Sequence, residues 1–285
     1  MNNYTYTFIF FILVVILSAC TAPKYVYTPA TANLLLLEKK NDLKAAVNFA
    51  QAGTILGLNG DSRQSRGVDV QGAYAVSEKA GVKFSAYKKK EYNEANFSYQ
   101  NQPKNKVNYK KQGIEISGGF YNFSGKQADA KFQLFAGAGT GKFLLSENRF
   151  NGFTNDNFYH DMNYFKAFIQ PALAVKASNN YHVMLATAIS LIKYYNVRTN
   201  FTDISDKPLG FIESKPSIFI DFILQNEFSF KSLKGINFQW QAGVTDLITR
   251  FSVPGTSGFN NDKYDHNKTW LALGIIADIR ALIKH

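Results

Sequence analysis

The sequence predicts an all-β protein: an up-and-down antiparallel β-barrel of about ten strands that crosses a membrane, with short turns at one end and long loops at the other. Three observations predict it. From residue 43 onward apolar residues recur at every second position. Most of these segments reach the length of about nine to eleven residues that a tilted strand needs to cross a bilayer. The connections between them alternate short and long.

The N-terminus comes first. Met1 to Cys20 reads MNNYTYTFIFFILVVILSAC, with an apolar run of about ten residues from Phe8 to Leu17. A helix that stays in a membrane needs about twenty, so residues 1–19 are expected to be a signal peptide that is removed. Leu17-Ser18-Ala19-Cys20 resembles the lipobox read by lipoprotein signal peptidase. Ser18 and Ala19 suit a narrow cleavage pocket, and the Cys20 thiol is the expected lipid-attachment site. The preceding Met1 to Thr7 carries no Lys or Arg. Cys20 is the one cysteine of the chain, which leaves no internal disulfide and no cysteine-based metal site. The chain thus divides into a signal peptide (1–19), a lipidated tether (20–42) and a single barrel domain (43–285), exported to the cell envelope.

Strands are expected near 43–52, 66–76, 80–89, 109–122, 130–143, 163–176, 181–195, 216–230, 235–246 and 268–280. Each has one large apolar face and one polar or small face. Val68, Val70, Tyr74 and Val76 oppose Asp69, Gln71, Ala73 and Ala75; Phe165, Ile169, Leu173 and Val175 oppose Lys166, Gln170, Ala172 and Ala174. The connections Ser77-Glu78-Lys79, 123–129, 177–180 and 231–234 are short and built from turn residues. Those at 53–65, 90–108, 144–162, 196–215 and 247–267 are long and polar. In an antiparallel meander alternate connections lie at opposite ends, which separates a turn end from a loop end. An even strand number returns both barrel termini to the turn end. The lipid anchor is therefore expected there, facing the periplasm, in keeping with a tether Thr21-Ala22-Pro23-Lys24 that lacks acidic residues.

Alternation alone leaves two architectures open. One is an outer-membrane barrel with its apolar face toward lipid; the other is a periplasmic, lipid-tethered soluble β-barrel with an apolar interior for a hydrophobic ligand. The second face favours the membrane. Asp69, Glu115, Lys166, Asp221, Glu227 and Asp278 stand among Gly and Ala, with Gly137, Gly139 and Gly141 in step, as a narrow, polar, largely plugged interior would have them. The chain is rich in Phe (25) and Tyr (16). Tyr87, Tyr92, Tyr109, Phe143, Tyr164, Tyr194 and Tyr195 are expected to form an interfacial girdle. The net charge of +11 is concentrated in Lys88-Lys89-Lys90 and in Lys104 to Lys111. For an exported lipoprotein nucleic acid is excluded as the partner, and these clusters are expected on loops, solvated or facing the phosphates of lipopolysaccharide.

Little in the chain points to chemistry. His160-Asp161 and Asp265-His266 lie in two long connections and pair a histidine with a carboxylate, the combination that general-base hydrolysis uses. The paired-Asp and Asp-x-His patterns of omptin proteases are missing. Asp156, Asp161 and Asp262 have neither EF-hand nor HExxH spacing. Gly137-Ala138-Gly139-Thr140-Gly141-Lys142 lacks the spacing of a phosphate loop and keeps strand register. The expectation is a protein that is not an enzyme and carries no cofactor or metal.

The lipobox at Cys20, the tether residues Tyr25-Val26-Tyr27-Thr28-Pro29 and Asn33-Leu34-Leu35, and the run Gln71-Gly72-Ala73-Tyr74-Ala75-Val76 resemble the outer-membrane β-barrel lipoprotein-like proteins of Bacteroidetes. The similarity is concentrated in residues 17–87. It implies an outer-membrane barrel lipoprotein with a structural, transport or surface-contact role in the envelope, in a group mostly without an assigned activity. The chain departs from many outer-membrane barrels at its end, Ala281-Leu282-Ile283-Lys284-His285, which lacks a terminal aromatic residue.

Overall fold

Ten alternating segments pair edge to edge until the last meets the first, so that no edge of the main sheet is left open. The computed structural model describes residues 24–27, 30–52, 62–95, 105–121, 130–150, 155–178, 180–200, 216–230, 232–248, 264–266 and 269–283. The strands in chain order are β1 (Lys24–Tyr27), β2 (Leu43–Ala52), β3 (Ser62–Ala75), β4 (Ala80–Ala95), β5 (Asn105–Tyr121), β6 (Ala130–Phe150), β7 (Asn155–Ser178), β8 (Tyr181–Thr199), β9 (Ser217–Ser229), β10 (Ile236–Leu247), β11 (Tyr264–His266) and β12 (Thr269–Asp278), followed by a short helix α1 (Ile279–Ile283). Strands β2 to β10 form an antiparallel meander. β12 pairs with β10 on one side and β2 on the other, in register from Trp270 opposite Ala52 to Asp278 opposite Lys44, and closes the barrel.

The alternation places the large apolar residues outside. Phe49 is 61% exposed, Ile116 63% and Leu273 59%, and the outward set Val68, Val70, Phe165, Ile169, Leu173 and Phe222 is likewise exposed. The intervening positions are buried in the lumen and are polar, charged or small: Asp69, Gln71, Lys83, Gln133, Lys166, Asp221, Gln225, Ala172 and Ala186. A soluble ligand-binding barrel requires the reverse arrangement, so the alternative with an apolar interior gives way. On β7 the outward positions from Phe165 to Val175 cover about 33 Å of strand. At a tilt of roughly 40° that is about 25 Å along the barrel axis, the height of the apolar band on transmembrane barrels.

The strands are longer on the loop side than the sequence predicts. β6, β7 and β8 have 21, 24 and 19 residues, whereas β2 and β12 have 10 each. Much of the expected connections 90–108 and 144–162 is therefore strand, because the cross-strand ladder continues beyond the apolar belt, as from Lys110–Leu144 to Lys106–Asn148. The extension brings Lys90 onto β4 as well, so the Lys88-Lys89-Lys90 cluster and the Lys110-Lys111 pair lie wholly on strands and not on solvated loops. Alternation splits them: Lys88, Lys90 and Lys110 point out, and Lys89 and Lys111 are buried inside.

The turn end is tightly built. Ser77 accepts hydrogen bonds at its Oγ from the amides of Lys79 (3.3 Å) and Ala80 (3.0 Å). Gly235 turns the chain into β10 at φ 80°, a conformation that favours glycine. The expectation that the tether leaves from this end is not met. Ala30 to Glu38 runs through the lumen, and Lys24–Tyr27 pairs in parallel with Tyr264–His266 in the β10–β12 connection at the loop end. An even strand number does return Leu43 to the turn end. The chain before it, however, doubles back inside the barrel, because its leucines and backbone groups find partners there. Cys20 and residues 1–19, expected as a signal peptide, lie outside the described residues.

Candidate functional site: the plugged lumen

An extended segment with no sheet partner has amides and carbonyls that must be satisfied by something else when it is buried. In the lumen the barrel wall supplies side chains for this purpose, and the segment's own Asn33 side chain ties it to the wall. Asn33 donates from its Nδ2 to the carbonyls of Phe84 (2.8 Å) and Gly72 (3.1 Å) and to Ser85 Oγ (3.3 Å). Lys83 Nζ donates to the Asn33 carbonyl (3.2 Å) and to Gln133 Oε1 (3.0 Å). The Ala32 carbonyl accepts from Gln241 Nε2 (3.1 Å) and Gln71 Nε2 (3.3 Å). The Thr31 amide donates to Asp69 Oδ2 (2.9 Å), and the Thr31 hydroxyl donates to the same oxygen.

Below this polar layer the four consecutive leucines diverge, as successive residues of an extended chain do. Leu34 and Leu36 pack with Ala172, Ala174, Met184, Ala186 and Trp270 on one wall. Leu35 and Leu37 pack with Ala46, Ala73, Ala75, Tyr121 and Phe135 on the other. All four are at most 3% exposed. The wall positions are alanines because leucines of the plug occupy the space in front of them. At the turn end Asp42 Oδ2 accepts from the amides of Glu38 (2.8 Å) and Lys39 (3.2 Å), and Glu38 pairs with Lys131 at 3.0 Å. Burial works against the ionised Glu38, but the charges of Lys44 and Lys131 and the hydrogen bond from Lys131 outweigh it and hold the carboxyl below its usual value.

Toward the loop end an aromatic layer closes the lumen. Tyr87, Tyr109, Phe143, Tyr164, Tyr194 and Phe219 form one buried cluster with Leu145, Met162 and Ile192, and Ala30 of the plug packs against it. The Tyr87 and Tyr164 hydroxyls lie 2.5 Å apart, and Tyr87 donates to Glu115 (3.1 Å), which also pairs with Lys166 at 3.0 Å. Tyr164 fits because the wall has no side chain in front of its hydroxyl. A Cβ at Gly113 or at Gly141 would come within 2.4 Å of it. Between the aromatic layer and the plug, the cavity lined by Lys83, Glu115, Lys166 and Asp221 measures ≈ 20 Å³, room for about one water molecule.

This corrects the expected girdle. Tyr87, Tyr109, Phe143, Tyr164 and Tyr194 fill the lumen, and of the proposed set Tyr195 is the one on the exposed outer face, with Tyr92 half-buried. The aromatic residues at these strand ends fall on the inward register, which an inventory of strand ends does not test. His160 and Asp161, adjacent in sequence, do not form a His–carboxylate pair, and neither lies on a solvated loop. His160 is fully buried on the inner face of β7, while Asp161 points outward and pairs with Lys142 at 2.9 Å. Asp156 and Asp161 stand on opposite faces of β7, and Asp262 lies outside the described residues. His266 belongs to β11 at the mouth. Among the described residues no group of three or more His, Cys, Asp or Glu side chains could hold a metal ion. Sequence reasoning missed the plug. Its signal was Leu34-Leu35-Leu36-Leu37, an apolar run out of place in a solvated tether.

No family model matches the chain, and no curated protein does. Among solved structures the barrel is similar to the translocator domain of the autotransporter NalP from Neisseria meningitidis (TM-score 0.46, 10% identity, 86% of this chain and 90% of that one). It is also similar to the outer membrane protease OmpT from Escherichia coli (0.39, 6%, 83% and 91%) and to the outer membrane protein OprG from Pseudomonas aeruginosa (0.34, 12%, 84% and 96%). Identities this low bear on architecture alone. They nevertheless correct one expectation. The chain cannot be set aside as a non-enzyme, because a protease stands among the barrels it resembles and a barrel architecture does not divide enzymes from other proteins.

Proposed function

We propose that this chain is an outer-membrane β-barrel lipoprotein whose lumen is closed by its own N-terminal segment, a membrane-fixed scaffold that holds its long loops and its lipid anchor at one face for envelope structure or surface contact. The observation that carries the reading is the inversion of the barrel: an exposed apolar belt about 25 Å tall around a polar, filled interior. The resemblance of residues 17–87 to Bacteroidetes outer-membrane barrel lipoproteins supports the same reading. Solute passage would require the plug to leave. The test is electrophoresis in SDS of the detergent-purified full chain, boiled beside unboiled, together with conductance in planar bilayers. A mobility shift on boiling and no steady conductance are expected, since a closed barrel with every strand paired resists SDS until heated. No shift, with a lipid-free form soluble in buffer, overturns the reading.

The path of the plug supports a lipid anchor on the loop side. Cys20 is four residues from Lys24, a reach of at most about 14 Å. Lys24 pairs beside the loop-end strand β11, and returning to the turn end would require crossing the full belt. Long loops of outer-membrane barrels face the exterior, so the acyl chains of Cys20 sit in the outer leaflet in this reading. An epitope inserted between Ala22 and Pro23 is then accessible to antibody on intact cells. Labelling that appears only after permeabilisation refutes it.

A further inference from the structure

Immediately above the apolar belt, on the loop side, the outer surface changes character over one sector. On β3 to β8 the outward positions carry Arg66, Lys88, Lys90, Lys110, Lys142 and Lys193, all exposed. The register sets them side by side: Arg66 lies opposite Lys90, and Lys90 opposite Lys110, a row of three cations on adjacent strands. One step toward the belt, Lys88 lies opposite Gln112, and Gln112 opposite Lys142. Like charges directly across a strand pair repel, so a row of this kind is stable when an anion lies against it. Among the residues of this sector whose side chains are described, Asp161 is the outward carboxylate, and it is paired with Lys142. Glu94 stands in the outward register two steps beyond Lys90, opposite Ser62 and Lys106. The outward positions of β9, β10, β12 and β2 carry no Lys or Arg among the described residues, and Asp246 stands at the corresponding height on β10. The basic surface is therefore a sector with a definite side, not a uniform collar.

The sector also contains a recess. The β7–β8 register shifts between Asp161 and Asn163, and Asn196 adopts φ 53° across from the shift. The resulting crevice of ≈ 490 Å³ is lined by Lys142, Asp161, Asn163, Asn196, Val197 and Arg198. Two cations and two amides line it just beyond Phe165 and Leu191, the last outward aliphatic or phenylalanine residues of the belt on β7 and β8, with Tyr159 and Tyr195 exposed at the same end. A ligand that suits both features has phosphate for the cations and acyl chains for the belt below.

We propose that the outward basic sector of β3–β8 is a docking surface for the phosphate groups of anionic lipids in the loop-side leaflet. The inference rests on the membrane reading above and adds the headgroup chemistry and the side of the barrel. Position argues for a lipid source: the cations begin within one outward position of the belt, at the depth where headgroup phosphates lie. The turn end mixes charges, with Lys39, Lys40, Lys79, Lys131, Lys234 and Arg280 near Glu38, Glu78 and Asp278, and among the described residues it has no row of outward cations on adjacent strands.

The test uses the full-length protein in vesicles of phosphatidylcholine alone and of phosphatidylcholine with one third phosphatidylglycerol, followed by native mass spectrometry of the lipids retained after detergent extraction. Wild type is expected to retain the anionic lipid preferentially. K88S/K90S/K110S should lower that retention roughly hundredfold, from three surface cations each contributing to anionic-lipid attraction. K88R/K90R/K110R should keep it, and a turn-end control, K39S/K79S, should leave it unchanged. Equal retention of both lipids by wild type overturns the proposal, as does a triple serine variant that still discriminates. Displacement of the lipid by millimolar inorganic phosphate overturns the lipid as the source. If the serine variant does not fold, wild type decides alone, because a headgroup site loses its preference in 1 M salt and a packing site for acyl chains does not. The boiling shift of wild type in phosphatidylcholine alone reports the barrel reading separately, so failure of one is distinguishable from failure of the other.

Discussion

Replacing Leu35 and Leu37 together by alanine tests whether the plug is a docked element with a stability of its own or part of one cooperative barrel. Both side chains are essentially inaccessible and share a cluster with Ala46, Ala73, Ala75, Tyr121 and Phe135, whose small members cannot collapse into the space vacated. Truncating a buried leucine costs about 2–5 kcal/mol. The two sites lie in one cluster and do not add fully, so about 4 kcal/mol is a low figure for the pair. At 1.4 kcal/mol per factor of ten this raises the undocked fraction roughly a thousandfold. The strand ladders are untouched, and Leu34 and Leu36 still pack with Trp270. Hydrogen exchange read by mass spectrometry in detergent measures the opening directly. A peptide covering residues 30–38 should exchange roughly a thousandfold faster while β4 to β7 peptides keep their protection. The reasoning is refuted if plug and strands accelerate together, or if the plug peptide does not change in a barrel that still shifts on boiling.

Three further outcomes follow from the same geometry. Ile116→Arg places a charge in the middle of the belt and should destabilise insertion by about 2–4 kcal/mol, measured as the folding equilibrium in vesicles; a cost near zero would mean that this face does not meet lipid. Glu115→Gln leaves the buried Lys166 ammonium without its 3.0 Å partner. Loss of one member of such a pair costs about 3–5 kcal/mol, and the temperature at which the unboiled form converts in SDS should fall. Glu38, whose carboxyl lies below its ordinary 4.5 in the folded protein, stabilises the turn-end latch fully above about pH 4.5 and progressively less as pH falls through the lower folded value. Exchange of the 30–38 peptide, corrected for its intrinsic rate, should accelerate on acidification in wild type and stay level in Glu38→Gln.

The strand content was legible because it is written locally. Ten period-two segments were recognisable from apolar residues such as Val68, Val70, Ile114 and Ile116, and the short turns from runs such as Ser77-Glu78-Lys79. The loop-side extension of β5 to β8 was not, because Lys106, Asn108 and Asn148 look like loop residues when read singly. His160 and Asp161 fall in an expected connection, where strand parity has no bearing; on β7 they stand next to each other and so face opposite ways. Parity was available for Lys88 and Lys89, of which Lys89 turns inward.

By itself the sequence determined that ten segments alternate, that their connections alternate in length, and that one face is apolar while the other is polar or small. Those properties depend on neighbours one and two positions away. Three things were decided only when distant segments met. Alternation is symmetric between the two faces, so closure of β12 onto β2 was needed to put Phe49 outside and Asn48 inside. Tyr164 became a lumen residue through the absence of side chains at Gly113 and Gly141, on strands other than its own. Ala30 to Glu38 became a plug because Asp69, Gln71, Lys83 and Gln241, drawn from three strands, converge on its backbone. An extended chain with four leucines satisfies few of its own amides and carbonyls, here by the Leu34 amide donating to the Ala32 carbonyl and the Leu35 amide to Asn33 Oδ1. Its place was set by the enclosure that could satisfy the rest.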